Sequence, residues 1–144
     1  MSLRTTIIAL GIAVSIPFAT VAQSADQSDS QLHLELNAVQ DTGNACRLIF
    51  VARNETGAAI EKAVFETVVF DALGGVVTLS LFDFRDLPAD RPRVRQFDLP
   101  GMTCDGVGQT LINGANTCIV DGADSPVCQD ALSLSSRVSI GLIG

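Results

Sequence analysis

Three of the chain's four cysteines, Cys104, Cys118 and Cys128, fall in "TCDGVGQTLINGANTCIVDGADSPVC", residues 103–128; the fourth is Cys46. Thiols bind metals, carry out redox chemistry or cross-link. Zinc sites draw two ligands from one tight turn, and thioredoxin-like centres use Cys-x-x-Cys, so both chemistries favour closely spaced pairs. The intervals here are 58, 14 and 10 residues. That spacing leaves cross-linking, and an even count of four fits two bridges.

Other reactive side chains are sparse. His33 is the single histidine, whereas triad bases and most zinc or copper sites depend on imidazole. It alternates with leucines in "LHLELNAVQ", so it is expected to point to solvent from one face of a strand. Ser133, Ser135 and Ser136 lie far from it along the chain and lack a Gly-x-Ser-x-Gly elbow; they are expected on the outward face of the last strand. Asp71, Asp105 and Asp121 belong to turns. Asp121, Asp124 and Asp130 lack the ordered ligand pattern and closing Glu of a calcium loop. Asn54 opens an Asn-Glu-Thr sequon, which is expected to mark a surface turn. No cofactor motif is present, no catalytic or metal-binding residue is expected, and the four cysteines are expected to be bridged.

One stretch stands out as a recognition surface. "RDLPADRPRVRQFD" carries Arg85, Arg91, Arg93 and Arg95 among Asp83, Asp86, Asp90 and Asp98. A mixed block of this kind pairs its own charges, yet arginine is favoured at interfaces for its planar fork and its stacking on apolar groups. These four arginines are the candidate partner surface.

The elements that position these residues read as short strands. After a polar leader at residues 25–31 the apolar period is two: Leu32, Leu34, Leu36 and Ala38, then Cys46, Leu48, Phe50 and Ala52. Further strands are expected at residues 62–71, 76–84 and 93–99, at 109–113 with an extension to 117–120, and as one closing strand over 132–144. Gly74 and Gly75 suit a tight turn. Seven or eight strands at intervals of about ten residues, with no long helix, predict an all-β antiparallel sandwich.

Compartment follows from "MSLRTTIIALGIAVSIPFATVAQSADQ": Arg4, then an apolar run too short to span a bilayer, then Pro17 and small residues. This is the layout of a cleaved signal peptide. Cleavage is expected after Ala22 or, by preference, Ser24, giving residues 1–24 as signal peptide and 32–144 as a single domain. Without those 24 residues, 120 of 144 remain, and loss of Arg4 takes the net charge from −7 to −8. So acidic a domain disfavours nucleic acid and anionic membrane surfaces as partners, and no membrane span is expected after cleavage. Export to the periplasm or beyond also supplies the oxidising surroundings in which disulfides persist.

The stretch "FVARNETGAAIEKAVFETVVFDALGGVVT…LPADRPRVRQFDLP" resembles the extracytoplasmic immunoglobulin-like domains of the FxLYD type. Asn54, Phe70, Asp71, Gly75, Leu87 and Ala89 carry the likeness, over roughly residues 46–100; the FxLYD motif itself is not present. The chain is also similar to small exported proteins of alphaproteobacteria. The resemblance implies an immunoglobulin-like sandwich and supplies no catalytic residue. In such a sandwich the Cys46 strand runs antiparallel to "RVRQFDL", which implies Cys46–Cys104 and Cys118–Cys128 bridges. Cys104–Cys118 with Cys46–Cys128 is the main rival, and one further scheme exists. The function expected is a non-catalytic exported module that binds a protein or envelope component. The alternative is a periplasmic ligand- or metal-handling module built on Met102, Cys104 and His33.

Overall fold

A computed structural model describes residues 30–144; the expected signal peptide and most of the leader lie outside the described residues. Two sheets face each other. One contains β1 (Leu32–Asp41), β2 (Ala45–Asn54), β5 (Arg93–Pro100) and β8 (Leu132–Ser136), in the order β5-β2-β1-β8. The other contains β3 (Ile60–Asp71), β4 (Val76–Leu87), β6 (Val107–Val120) and the two-residue β7 (Ala123–Asp124), in the order β4-β3-β6-β7, with β9 (Gly141–Ile143) also pairing β6. The all-β sandwich expected from the period of two is the architecture found.

Period-two patterning explains what each sheet buries. Leu32, Leu34 and Leu36 of β1 and Leu48 and Phe50 of β2 are fully buried, against Phe65 and Val69 of β3 and Phe84 of β4. Phe50 makes edge-on contacts with Phe82, Phe84 and Phe97, and Phe82 stacks on Phe97 with ring centroids 4.2 Å apart. Such aromatic pairs add directional stabilisation to the area they bury. The β3–β4 hairpin turns where Gly74 has φ 86°, and Asp71 Oδ1 accepts the N–H groups of Leu73 and Gly75. Gly108 is required by a close approach: a Cβ there would lie 2.4 Å from the carbonyl oxygen of Asp71.

Two expectations are corrected. The sandwich is mixed rather than antiparallel throughout, because β8 runs parallel to β1 and β9 runs parallel to β6. The closing segment is two strands, not one. Ser136 accepts the Val138 N–H through its hydroxyl oxygen and donates to the Ile140 carbonyl, forming a turn that carries the chain from one sheet to the other. The expected extension of 109–113 to 117–120 is present, both lying in a single fourteen-residue strand, β6.

Candidate functional site

The cysteines cross-link. Cys46 bonds Cys104 and Cys118 bonds Cys128, with Cα separations of 4.8 and 5.9 Å, and none is free among the described residues. Both bridges sit where the chain changes sheet. Cys104 opens the 3₁₀ turn Cys104–Gly106 that carries β5 over to β6, and Cys46 on β2 holds it. Cys128 lies in the one-turn helix α1 (Val127–Asp130) that carries β7 over to β8, and Cys118 on β6 holds that. All four sulfurs belong to residues less than a tenth exposed.

The residues weighed as a metal site do not assemble. Cys104 spends its sulfur on the bridge and its N–H on Asp41, at the far end of β1 from His33. Eight residues of strand separate Asp41 from His33, about 26 Å at the usual rise. Among the described residues no group of three or more His, Cys, Asp or Glu side chains converges, Asp121, Asp124 and Asp130 included.

His33 corrects two expectations. It is half-buried rather than free in solvent, and strand pairing brings it to the serines from which sequence separates it. Its Nδ1 lies 3.2 Å from Ser133 Oγ and its Nε2 lies 3.1 Å from Ser135 Oγ. A triad base needs one ring nitrogen for the nucleophile and the other for an orienting acid. Both nitrogens here engage hydroxyls on an open sheet face, so the cluster clasps parallel β8 to β1. Ser133 and Ser135 face outward as expected, whereas Ser136 serves the turn before β9.

Asn54 is the third correction. It is 1% exposed, not a surface residue. Its Nδ2 donates to the carbonyls of Ala58 and Leu87, both at 2.7 Å, and its Oδ1 accepts from the N–H and hydroxyl of Thr56. Asn54 thereby ties the end of β2 to the end of β4, next to a parallel bridge from Asn54 to Ala89. Glycosylation would require this side chain to leave the core.

The arginine block divides. Arg93 and Arg95 both reach Asp86, each at 3.2 Å, and Arg95 also donates to the backbone carbonyls of Phe84 and Asp86. The Arg93 hydrogen bond, with Arg95 nearby, holds the Asp86 carboxyl below the ordinary aspartate value of 3.8. Arg47 does the same to Asp98 across the β2–β5 pair. Arg91 is exposed, and Arg85 is exposed with its backbone at φ 60°, a left-handed conformation held by Asp83 Oδ1 on its N–H. The four arginines therefore form no common anion-binding cup; two of them knit the β4 edge to the β5 edge. Beside them lies an open groove of about 620 Å³ between these edges, lined in part by Leu81, Val94, Arg95 and Phe97.

The most distinctive surface was not among the residues singled out by sequence. On the outer face of the five-stranded sheet, Ile143, Leu111, Val68 and Leu79 stand in one row across β9, β6, β3 and β4. Val76 opposite Phe70 extends the row on one side and Leu81 on the other. Val76 is 67%, Leu79 55%, Leu81 54% and Ile143 43% exposed. Polar groups rim the patch, among them Glu66, which accepts from Asn113. Contiguous exposed apolar surface with a polar rim marks a site of association, because leaving it in water is unfavourable. Among the described residues no helix is long and apolar enough to cross a membrane. Compared with models of protein families, with curated proteins and with solved structures, the chain matches none.

Proposed function

We propose that this protein is an exported, non-catalytic binding module, delivered to the periplasm or beyond by a signal peptide at residues 1–24. It docks an extracytoplasmic protein partner on the outer face of its five-stranded sheet. The observation that carries this is the apolar row from exposed Ile143 through half-buried Leu111 and buried Val68 to exposed Leu79, flanked by exposed Val76 and Leu81. Two buried bridges agree with an oxidising compartment, and a net charge of −7 sets the chain apart from binders of nucleic acid. Arg85 and Arg91, exposed near the C-terminal end of β4, supply charge at the margin of the docking face, where it governs encounter more than affinity.

A charge placed in the row tests this. Ile143→Glu adds a carboxylate at an exposed position, so the melting temperature should stay within about 3 °C of wild type, as surface changes usually do. Recovery of the co-purifying partner should fall about tenfold or more, the equivalent of ~1.4 kcal/mol. Arg53→Glu, on the outer face of the other sheet, should leave recovery unchanged. Equal recovery from the two variants would remove the face from consideration.

A further inference from the structure

β4 is the edge strand of the five-stranded sheet, and its free edge is protected over only half its length. An unprotected edge offers unpaired N–H and C=O groups as a template for another strand, and proteins blunt such edges with charges, bulges, prolines or covering groups. The half from Asp83 to Leu87 has all but proline. Asp83, Arg85 and Asp86 are charged, the register slips opposite Arg85, and Arg95 covers the Phe84 and Asp86 carbonyls. From Thr78 to Phe82 there is no charge, no proline, and no hydrogen bond beyond β3 among the described residues. Asp71 bonds the hairpin turn through both its backbone groups, so by alternation Val69, Thr67 and Phe65 aim theirs at β4 and pair with Thr78, Ser80 and Phe82. Leu79 and Leu81, between them, therefore aim theirs outward.

We infer that this segment pairs with the same segment of a second copy of the chain, antiparallel about a two-fold axis at Leu79. The sequence is complementary to itself in that register. Leu79 falls opposite Leu79 as a hydrogen-bonded pair, Thr78 opposite Ser80, and Val77 opposite Leu81, so apolar residues meet apolar residues and no charge faces a charge. Like charges directly opposite would weaken such a pairing, and none falls between Val76 and Phe82. The register also brings Leu73 at the hairpin tip, 97% exposed, level with Arg85 of the second copy, at the mouth of the groove lined by Leu81, Val94 and Phe97. Two-fold pairing closes the contact at two copies, so the exposed edge is consumed without growth of a fibre. It also joins the two outer faces, Leu79 to Leu79, into one continuous apolar surface. The dimer thus deepens the docking face proposed above, a consequence that rests on that face being a site of association.

Sedimentation equilibrium on the oxidised exported protein should show a monomer–dimer equilibrium, and Leu79→Lys, which sets lysine against lysine at the axis, should weaken the dimer about tenfold or more. Leu79→Cys gives an independent reading. Directly opposed residues in a hydrogen-bonded pair lie within disulfide range, at about 5.5 Å between Cα atoms. Mild oxidation should therefore cross-link Leu79→Cys into dimers and leave Arg53→Cys monomeric, with the native bridges verified by peptide mapping. A wild-type protein that stays monomeric at high concentration, or a Leu79→Cys variant that cross-links no faster than Arg53→Cys, overturns the dimer. Partner capture sensitive to Ile143→Glu would then still stand. A dimer that forms normally while Ile143→Glu leaves capture unchanged would instead keep the pairing and discard the docking face.

Discussion

Removing the Cys46–Cys104 bridge by the paired change Cys46→Ala and Cys104→Ala is expected to lower the melting temperature by about 15 °C or more. The bridge closes a loop of 58 residues, which by chain entropy amounts to roughly 4 kcal/mol, against a total stability of ~5–15 kcal/mol for a domain of this kind. Each kcal/mol moves the melting temperature of such a domain by about 4 °C. The Cys118–Cys128 bridge closes 10 residues and should cost less, about 3 kcal/mol. The chain has no Trp or Tyr, so unfolding is followed by far-ultraviolet circular dichroism. The order of the two losses is as informative as their size. Each bridge secures a connection that crosses between sheets, and the longer loop leaves the unfolded chain more freedom to regain. Both paired variants melting within a few degrees of wild type would show that the crossings are held by packing alone.

Asn54→Ala is expected to be nearly as damaging, at about 3 kcal/mol. The side chain is 1% exposed and satisfies two backbone carbonyls, one N–H and one hydroxyl. Truncation strands the Leu87 carbonyl away from water and unpairs the part-buried partners, and each unsatisfied buried group costs ~1–3 kcal/mol. Asn54→Asp should do no better, since it sets a carboxylate oxygen against the carbonyls of Ala58 and Leu87. Thr56→Ala, which removes only the hydroxyl bonded to Asn54 Oδ1, should lose about 1 kcal/mol. Chemical denaturation of the three variants checks the ranking; an Asn54→Ala protein within 1 kcal/mol of wild type would contradict the network's role.

Much of this fold is legible in the sequence because burial on one face writes a period of two, as in β1 and β2. The bridges were implied by the resemblance to an immunoglobulin-like sandwich, and the antiparallel pairing of β2 with β5 does set Cys46 opposite Leu99, five residues before Cys104. What escaped was information that only tertiary contacts carry. The parallel placement of β8 beside β1 has no local signature, so His33 gave no hint of Ser133 and Ser135. Asn54 looked like a surface residue because its burial depends on Leu87, a residue 33 positions away. The arginines were singled out for their density, but whether an arginine is free depends on what lies within reach, and Arg93 and Arg95 find Asp86.

The apolar face did leave a signal. In "VTLSLFDF" the large apolar residues fall at odd positions through Val77, Leu79 and Leu81, then at even positions through Phe82 and Phe84. Side chains of a strand alternate between faces, so the two sets cannot share the core. The structure buries Phe82 and Phe84 and leaves Leu79 and Leu81 more than half exposed. A change of parity within one unbroken strand therefore marks apolar residues on the surface.

The central claim is that the Ile143–Leu111–Val68–Leu79 row receives a partner. A photoreactive amino acid at Ile143, at the end of the row farthest from the β4 edge, tests it in cells that export the protein. The Ile143 probe should yield a discrete cross-linked species larger than the dimer, absent from an equivalent probe at Arg53 on the opposite sheet and lost when Leu111→Glu is added. Cross-linking of equal yield and pattern from both probes, or none from Ile143 in folded exported protein, would contradict the proposal.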